Sequence, residues 1–417
     1  MSNGFGDYNS RNKEDWKVIQ SVREIVGSTI KLNAEKVDRC GEYPFENIEV
    51  LKESGLLSLI TPKEYGGLGC GPDTFVEVIS EIAKECPSTA LILVMHYSVI
   101  PILVSLGNDT QQREEFADIL SGKSICAAAT SEKGSGNRVW HMDGFAKELP
   151  GINAYELNAF KSFATGSRFC DFYLVPVRDD ESSGVNELSV FLFQSDVEGL
   201  DVIGEWNSMG LRGTSSSPLK LTGTKVDQDF KLGENGDGYS YLTSYHLPYY
   251  LLGLAAAYLG IAKSALAASV EHVKARVHTD TGASLSSVES VQATVGEMYV
   301  NVQQCESHIK KLSGMTERAF NVFDELNSCG LLKDVIEKTT EDSYLIDLVS
   351  MKTNVCKSAV SVVDSAFQIC GGAAYKKGHK LERMYRDVRA GSVMAPAEDT
   401  AKVIIGKKIL GFPQEWV

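Results

Sequence analysis

The spacing of apolar residues changes twice along this chain, and that double change limits its fold more than any other feature. Up to about residue 120 the apolar residues recur at helical intervals. Residues 14–39 and 45–55 predict helices, and EVISEIAKECPSTALILVMHYSVIPILVSLG predicts two more, broken at Pro87. Ser88 and Thr89 stand where they would cap the second of these, which is apolar nearly all round and so belongs in a core. From about residue 124 to 229 the pattern alternates. SICAAATSE, YELNAFKSFATG, DFYLVPVR, LSVFLFQ and PLKLTGTKV are short runs rich in β-branched and aromatic residues, separated by Gly, Asp, Asn and Ser, and they predict strands. From about Gly236 the helical period returns. Val288, Val291, Val295, Met298, Val302, Cys305, Ile309 and Leu312 form the seam of a long helix packed on other long helices.

The predicted class is α+β: an N-terminal helical domain (1–122), a middle β-barrel or sandwich domain (123–232) and a C-terminal four-helix bundle domain (233–417). No repeat, low-complexity tract or Pro- or Ser-rich linker separates them, so they are expected to pack directly on one another.

Charge and cysteine usage narrow the function classes. A net charge of -14 without a long Lys/Arg run repels phosphate backbones, which argues against nucleic acid. Nine scattered cysteines, odd in number and without CxxC or Cys/His ligand spacing, support neither a disulfide framework nor a metal site and fit a reducing compartment. The polar start MSNGFGDYNSRNKEDW lacks a signal-peptide core, and the longest apolar run, 249–262, is too short to span a bilayer comfortably. A cytoplasmic protein with no membrane partner is expected.

The stretch 368–402, QICGGAAYKKGHKLERMYRDVRAGSVMAPAEDTAK, carries the densest chemistry. A helix runs into Gly371 and Gly372, a basic turn follows, and LERMYRDVR forms a helix that breaks at Gly391. Pro396 restarts a helix with Glu398 and Asp399 in its first turn, where acids offset the helix dipole. A glycine-lined gap and an acid-bearing turn between helices are a place for a cofactor and a proton-transfer group.

QxxGG followed by LER-x-YRD-x-R resembles the C-terminal domain of the acyl-CoA dehydrogenase superfamily. The likeness extends along most of the chain. TPKEYGGLG resembles the family's P-x-x-YGG-x-G loop, PSTALILVMH the helix after it, ATSEKGSGN its T-E-P-x-x-G-S flavin loop, FKSFATGS its K-x-W-I-T-N/S strand, and WNSMGLRGTSS a segment between later strands. The resemblance implies FAD as hydride acceptor, an acyl-CoA or acyl-carrier-protein thioester as substrate, and a homodimer or homotetramer. The electron acceptor, or a flavin reductase in its place, is left open.

By the same resemblance Ser131, Gly136 and Asn137 fall on the flavin loop, Phe163 takes the place of the family's tryptophan, and Thr165 matches its threonine near the reactive nitrogen. An edge strand carrying Phe163 and Thr165 would give a flavin a flat neighbour and a hydrogen bond. Arg276 matches an arginine that crosses to a neighbouring subunit's flavin diphosphate, and Gln368, Gly371 and Gly372 match backbone that lies against the partner's dinucleotide. Read without the resemblance, Phe163 is a core aromatic, Arg276 a solvated charge and the loop residues ordinary turn chemistry. His96 faces either a pocket or the core.

The pattern departs where it matters most. Counting from Arg386 and Asp387, the family's glutamate position holds Ala395, and the alternative position near the start of the first bundle helix corresponds roughly to Tyr250. Dehydrogenation of a thioester needs a base for the α-proton. Glu398 and Asp399 are the candidate bases, and plain first-turn acids are the competing reading. Two other functions stand beside this one: a two-component monooxygenase using reduced flavin and O2, and a scaffold that keeps the fold without catalysis.

Overall fold

A computed structural model describes residues 13–133, 141–328 and 343–412. Its N-terminal part contains α1 (Lys13–Ile25), α2 (Lys31–Cys40), α3 (Phe45–Glu53), α4 (Pro72–Ala83), α5 (Pro87–Tyr97), α6 (Ile100–Leu106) and α7 (Ala117–Leu120), with a π-helical turn, Val26–Ile30, joining α1 to α2. Prolines in the first turns of α4, α5 and α6 suit positions that have no helical acceptor for an N–H. The run read as two helices is therefore three.

Ser88 and Thr89 do not cap α5, which begins at Pro87 without a side-chain cap. Their hydroxyls serve tertiary contacts instead: Ser88 Oγ accepts from Gly213 N at 3.2 Å, and Thr89 Oγ1 accepts from Asn47 Nδ2 at 2.9 Å. Every residue of α5 is buried, which agrees with its apolar circumference.

The middle part has nine described strands: β1 (Cys126–Ala128), β2 (Ser131–Glu132), β3 (Phe145–Leu149), β4 (Ala154–Phe163), β5 (Phe172–Arg178), β6 (Leu188–Gln194), β7 (Leu200–Val202), β8 (Leu219–Asp227) and β9 (Lys231–Leu232). They form one mixed sheet in the order β7-β8-β4-β3-β5-β6-β9, with β1 parallel to β5 and β2 antiparallel to β4. β8 alternates buried and exposed residues along much of its length, whereas β5 and β6 are buried on both faces and read as continuous apolar runs. β4 is not the expected edge strand. It pairs with β8 on one side and with β3 and β2 on the other, and only its last residues pass beyond the β8 ladder, which ends at Lys161 opposite Leu219.

The C-terminal part consists of α8 (Gly238–Tyr241), α9 (Leu247–Ala275), α10 (Glu289–Ser328), α11 (Ser343–Cys370), α12 (Lys380–Asp387) and α13 (Glu398–Ile409). α9 is the core helix and packs against α4, α5, α10 and α11. The seam of α10 is buried from Met298 through Leu312, while Val288 is exposed ahead of the helix. By length and composition the helical stretches Pro87–Leu106 and Gly238–Ala275 could cross a bilayer, but 83% and 78% of their apolar windows are buried in this fold. Their hydropathy serves packing between domains.

Candidate active site

A cavity of about 820 Å³ opens where the three parts meet. Leu91 and Met95 come from α5, Ser131 and Phe163 from the sheet, the segment 206–216 supplies one side, and His246, Tyr250 and residues 393–397 come from the helical part.

Phe163 is not the core aromatic that the bare sequence allows. It follows buried Lys161 on the same face of β4, yet is 59% exposed because that face opens into the cavity. Its ring meets Trp206 edge to face at 6.3 Å. Just beyond the strand, Thr165 Oγ1 lies 3.3 Å from Ser216 Oγ, which is itself 2.9 Å from Thr214 Oγ1, so three hydroxyls cluster on this wall.

A buried ion pair stands beside this wall. Lys161 Nζ donates to Glu132 Oε1 at 2.5 Å and to Pro176 O at 2.5 Å, while Glu132 Oε2 accepts from Asp143 N at 2.7 Å and Gly144 N at 2.9 Å. Burial raises the Glu132 pKa, but the ammonium and the two N–H groups outweigh it and hold the carboxyl below its ordinary value. Glu132 lines the cavity as an anion already engaged.

The segment 206–216 owes its shape to close approach. A methyl group on Gly210 would overlap the backbone of Arg386 and Asp387. Leu211, next in line, has φ +52°, and its N–H donates to Asp387 Oδ1 at 2.6 Å. Burial pushes the Asp387 carboxyl up to about 6, against the pull of the Leu211 N–H and of Arg383. Because the folded value lies above the unfolded one, the associated stability is fully present below pH 4 and is lost as pH rises through 6. Two pH units correspond to about 3 kcal/mol. Asp387→Asn keeps an oxygen for Leu211 and removes that loss, so its denaturation free energy should gain on wild type by about this amount between pH 4 and 7. Parallel pH profiles for the two proteins would contradict the assignment.

Beside Asp387, Arg386 binds Asp38 at 2.6 and 2.8 Å, Glu382 at 2.6 and 3.0 Å and the Met209 carbonyl at 3.1 Å. Arg389 pairs with Asp364 at 2.6 Å and lies 4.5 Å from the centre of the Tyr385 ring. On the bundle side His246 stacks on Tyr250, and its Nδ1 donates to Ser98 O at 3.1 Å. Burial lowers its pKa to about 4, so the ring is neutral near pH 7.

Of the residues singled out in the sequence, Ser131, Phe163, Thr165, Tyr250 and Ala395 line this one cavity. Glu398 and Asp399 do not. They occupy the first turn of α13, where Glu398 pairs with Lys402 at 2.5 Å and Asp399 Oδ1 accepts from Thr400 N at 2.8 Å. Arg276 caps the exposed end of α9, and Gln368, Gly371 and Gly372 are exposed at the end of α11, so none of these four reaches the cavity within one chain. Gly136 and Asn137 lie outside the described residues. His96 is a core residue: Nε2 donates to Leu57 O at 2.8 Å and Nδ1 accepts from Cys126 N at 3.2 Å. Glu132, Lys161 and Trp206 fall inside the quoted motifs without a role of their own, and His246 falls outside them. A lysine on the inward phase of a strand, as Lys161 is, was a signal for a buried acid partner.

The acyl-CoA dehydrogenase N-terminal domain matches residues 12–123, the middle domain 127–224 and the C-terminal domain 252–395. The chain belongs to the acyl-CoA dehydrogenase superfamily. A 3-(aryl)acrylate reductase of Clostridium sporogenes is 27% identical to this superfamily member over 399 residues, 93% of this chain and 96% of the relative. The butyryl-CoA dehydrogenase structure from Megasphaera elsdenii has a TM-score of 0.86 at 21% identity, covering 97% of this chain and all of that one. The dibenzothiophene monooxygenase structure from Paenibacillus sp. A11-2 has a TM-score of 0.79 at 22% identity, covering 95% and 98%. As a member of the acyl-CoA dehydrogenase superfamily the protein is a flavin-dependent oxidoreductase, and FAD is the standard cofactor. The exposed face of Phe163 and the hydroxyls of Thr165 and Ser131 suit the flat ring and polar edge of a flavin.

Proposed function

We propose that this enzyme dehydrogenates an acyl group carried as a thioester on coenzyme A or an acyl carrier protein. The cavity where the three domains meet carries this reading, because it sets an aromatic and hydroxyl wall from the β domain beside an apolar wall of Leu247, Tyr250 and Met394. Bound FAD supplies the hydride-accepting chemistry. Phe163 and Thr165 bind and orient its ring, and the side chains of Leu91, Met95 and Met394 exclude water from the acyl chain. Arg276, Gln368, Gly371 and Gly372, exposed on one chain, serve the flavin of a partner subunit in a homodimer or homotetramer. Glu398 is the base to test. It follows Ala397 of the cavity wall directly, and its approach requires the pair with Lys402 to open.

One observation favours a second reading. Among the described lining residues the only carboxylate is Glu132, and Lys161 already holds it. Chemistry without an α-proton base, in which reduced flavin reacts with O2 as in a two-component monooxygenase, fits such a wall.

Anaerobic mixing of the FAD-loaded protein with acyl-CoA and acyl-carrier thioesters separates the two. Bleaching of the oxidised flavin band supports dehydrogenation, and its loss in Glu398→Gln assigns the base. No bleaching by any thioester, together with an oxygenated product from reduced flavin and O2, would establish the monooxygenase. The Phe163→Ala variant tests the flavin wall without a substrate. Since Phe163 is largely exposed, the apoprotein should lose less than about 1 kcal/mol. FAD affinity should fall about tenfold in an absorbance titration. An unchanged affinity would move the flavin away from this strand.

A further inference from the structure

One buried cation has no part in the chemistry proposed above. Lys352 lies in the middle of α11 with 1% of its surface exposed. Its ammonium donates to three backbone carbonyls of a single segment: Gly391 O at 3.0 Å, Met394 O at 2.8 Å and Pro396 O at 3.0 Å. An ammonium has three N–H donors, so these three oxygens saturate it. Burial pulls its pKa below the ordinary lysine value, partly offset by Cys356 and Glu398 nearby.

The segment it holds is a wall of the cavity. Val393, Met394, Ala395, Pro396 and Ala397 all line it. The start of the segment is pressed against the bundle, where a Cβ on Gly391 would lie 3.0 Å from both Cys356 Sγ and the Tyr258 ring. Tyr258 Oη donates to Met394 Sδ at 3.4 Å. The segment is thus anchored to α9 through a weak sulfur contact and to α11 through a full set of charge-assisted bonds. Burying an ammonium costs several kcal/mol, and an apolar side chain of equal length would fill the same space. It would also leave three inward-facing carbonyls without a donor. The lysine therefore specifies which conformation the segment adopts.

We propose that Lys352 is a positioning residue, its ammonium holding 391–397 in the conformation that forms the helical-domain wall of the cavity. It touches neither flavin nor substrate and acts through the carbonyls of the segment. The inference rests on reading this cavity as the flavin and thioester site.

The test compares Lys352→Met, which keeps length and loses the donors, with Lys352→Arg, which keeps donors. Three properties are read on FAD-loaded protein: hydrogen exchange of the 391–397 amides, FAD affinity, and thioester-dependent bleaching with KM and limiting rate separated. In Lys352→Met, exchange at 391–397 should rise about tenfold or more while the rest of α11 stays protected. The limiting bleaching rate should fall about tenfold with FAD affinity little changed, and Lys352→Arg should recover most of the loss. Unchanged exchange at 391–397, or a uniform rise over the whole chain, would overturn the proposal. If no thioester bleaches the wild-type flavin, the functional reading fails by itself and the exchange experiment still decides on Lys352. Should Lys352→Met not fold, Lys352→Gln, with two donors and no charge, takes its place with the same local against uniform outcomes.

Discussion

Replacing Lys161 by methionine should destabilise the protein by about 3–5 kcal/mol and abolish FAD binding, because it strands a buried carboxylate. Glu132 has a side-chain exposure of 2% and Lys161 of 0%, so water replaces nothing that the ammonium provides. The two N–H groups of Asp143 and Gly144 remain on Oε2, while Oε1 loses its 2.5 Å partner. The double variant Lys161→Met/Glu132→Gln removes the stranded charge and should recover at least half of the lost stability. Denaturant titration of the single and double variants gives both numbers. A single variant as stable as wild type would mean that Glu132 is neutral in the native protein. Acid should act in the same direction: the carboxyl is held below its unfolded value, so the stability it contributes is present above the unfolded pKa and is lost as pH falls through the folded one.

The second large effect is expected at Gly210, where alanine meets backbone rather than a movable side chain. Its methyl group would overlap the carbonyl of Arg386 and the amide of Asp387, so the segment 206–216 must move away from α12. That motion breaks the 2.6 Å bond from Leu211 N to Asp387 and leaves a buried acid without its donor. A cost of about 3 kcal/mol follows from the overlap and the lost bond together. Because the same segment carries Trp206 and Met209 into the cavity, FAD affinity should fall with stability. Thermal unfolding and flavin titration of Gly210→Ala measure the two losses. Native stability in that variant would show that the segment has another conformation of equal energy.

Much of the architecture was legible because each part keeps a single period over many residues. The seam of α10 repeats at helical intervals and β8 alternates, so local pattern and tertiary burial agree there. β3, with sequence FAKEL, has too few apolar residues to announce a strand and owes its place to pairing with β4. The interior position of β4 is hidden for a related reason. Its partner β8 follows more than 50 residues later, and no local signal reports that pairing.

The cavity was legible only in part. Phe163 and Thr165 sit in a motif-like run, and they line the same cavity as Ala395 and Tyr250, so the resemblance picks out residues that the fold brings together. Glu398 and Asp399 follow the lining residue Ala397 but do not themselves line the cavity. A helix start turns successive side chains through about 100°, so one or two residues decide whether an acid points inward or toward Lys402. The groups that hold the walls are beyond any local reading. Lys352 finds its acceptors about 40 residues downstream, and Arg386 finds Asp38 at a separation of 348 residues.

Arg386 has a consequence of its own. A guanidinium has five N–H donors, and the two carboxylates and one carbonyl around this one engage all five: Glu382 on its own helix, Asp38 on α2 and Met209 beside the cavity. The outer helix α2, the segment 206–216 of the sheet domain and α12 of the bundle are therefore tied at one guanidinium. α2 lines no part of the cavity, yet through Asp38 and Arg386 it is joined to the Met209 carbonyl on the cavity wall.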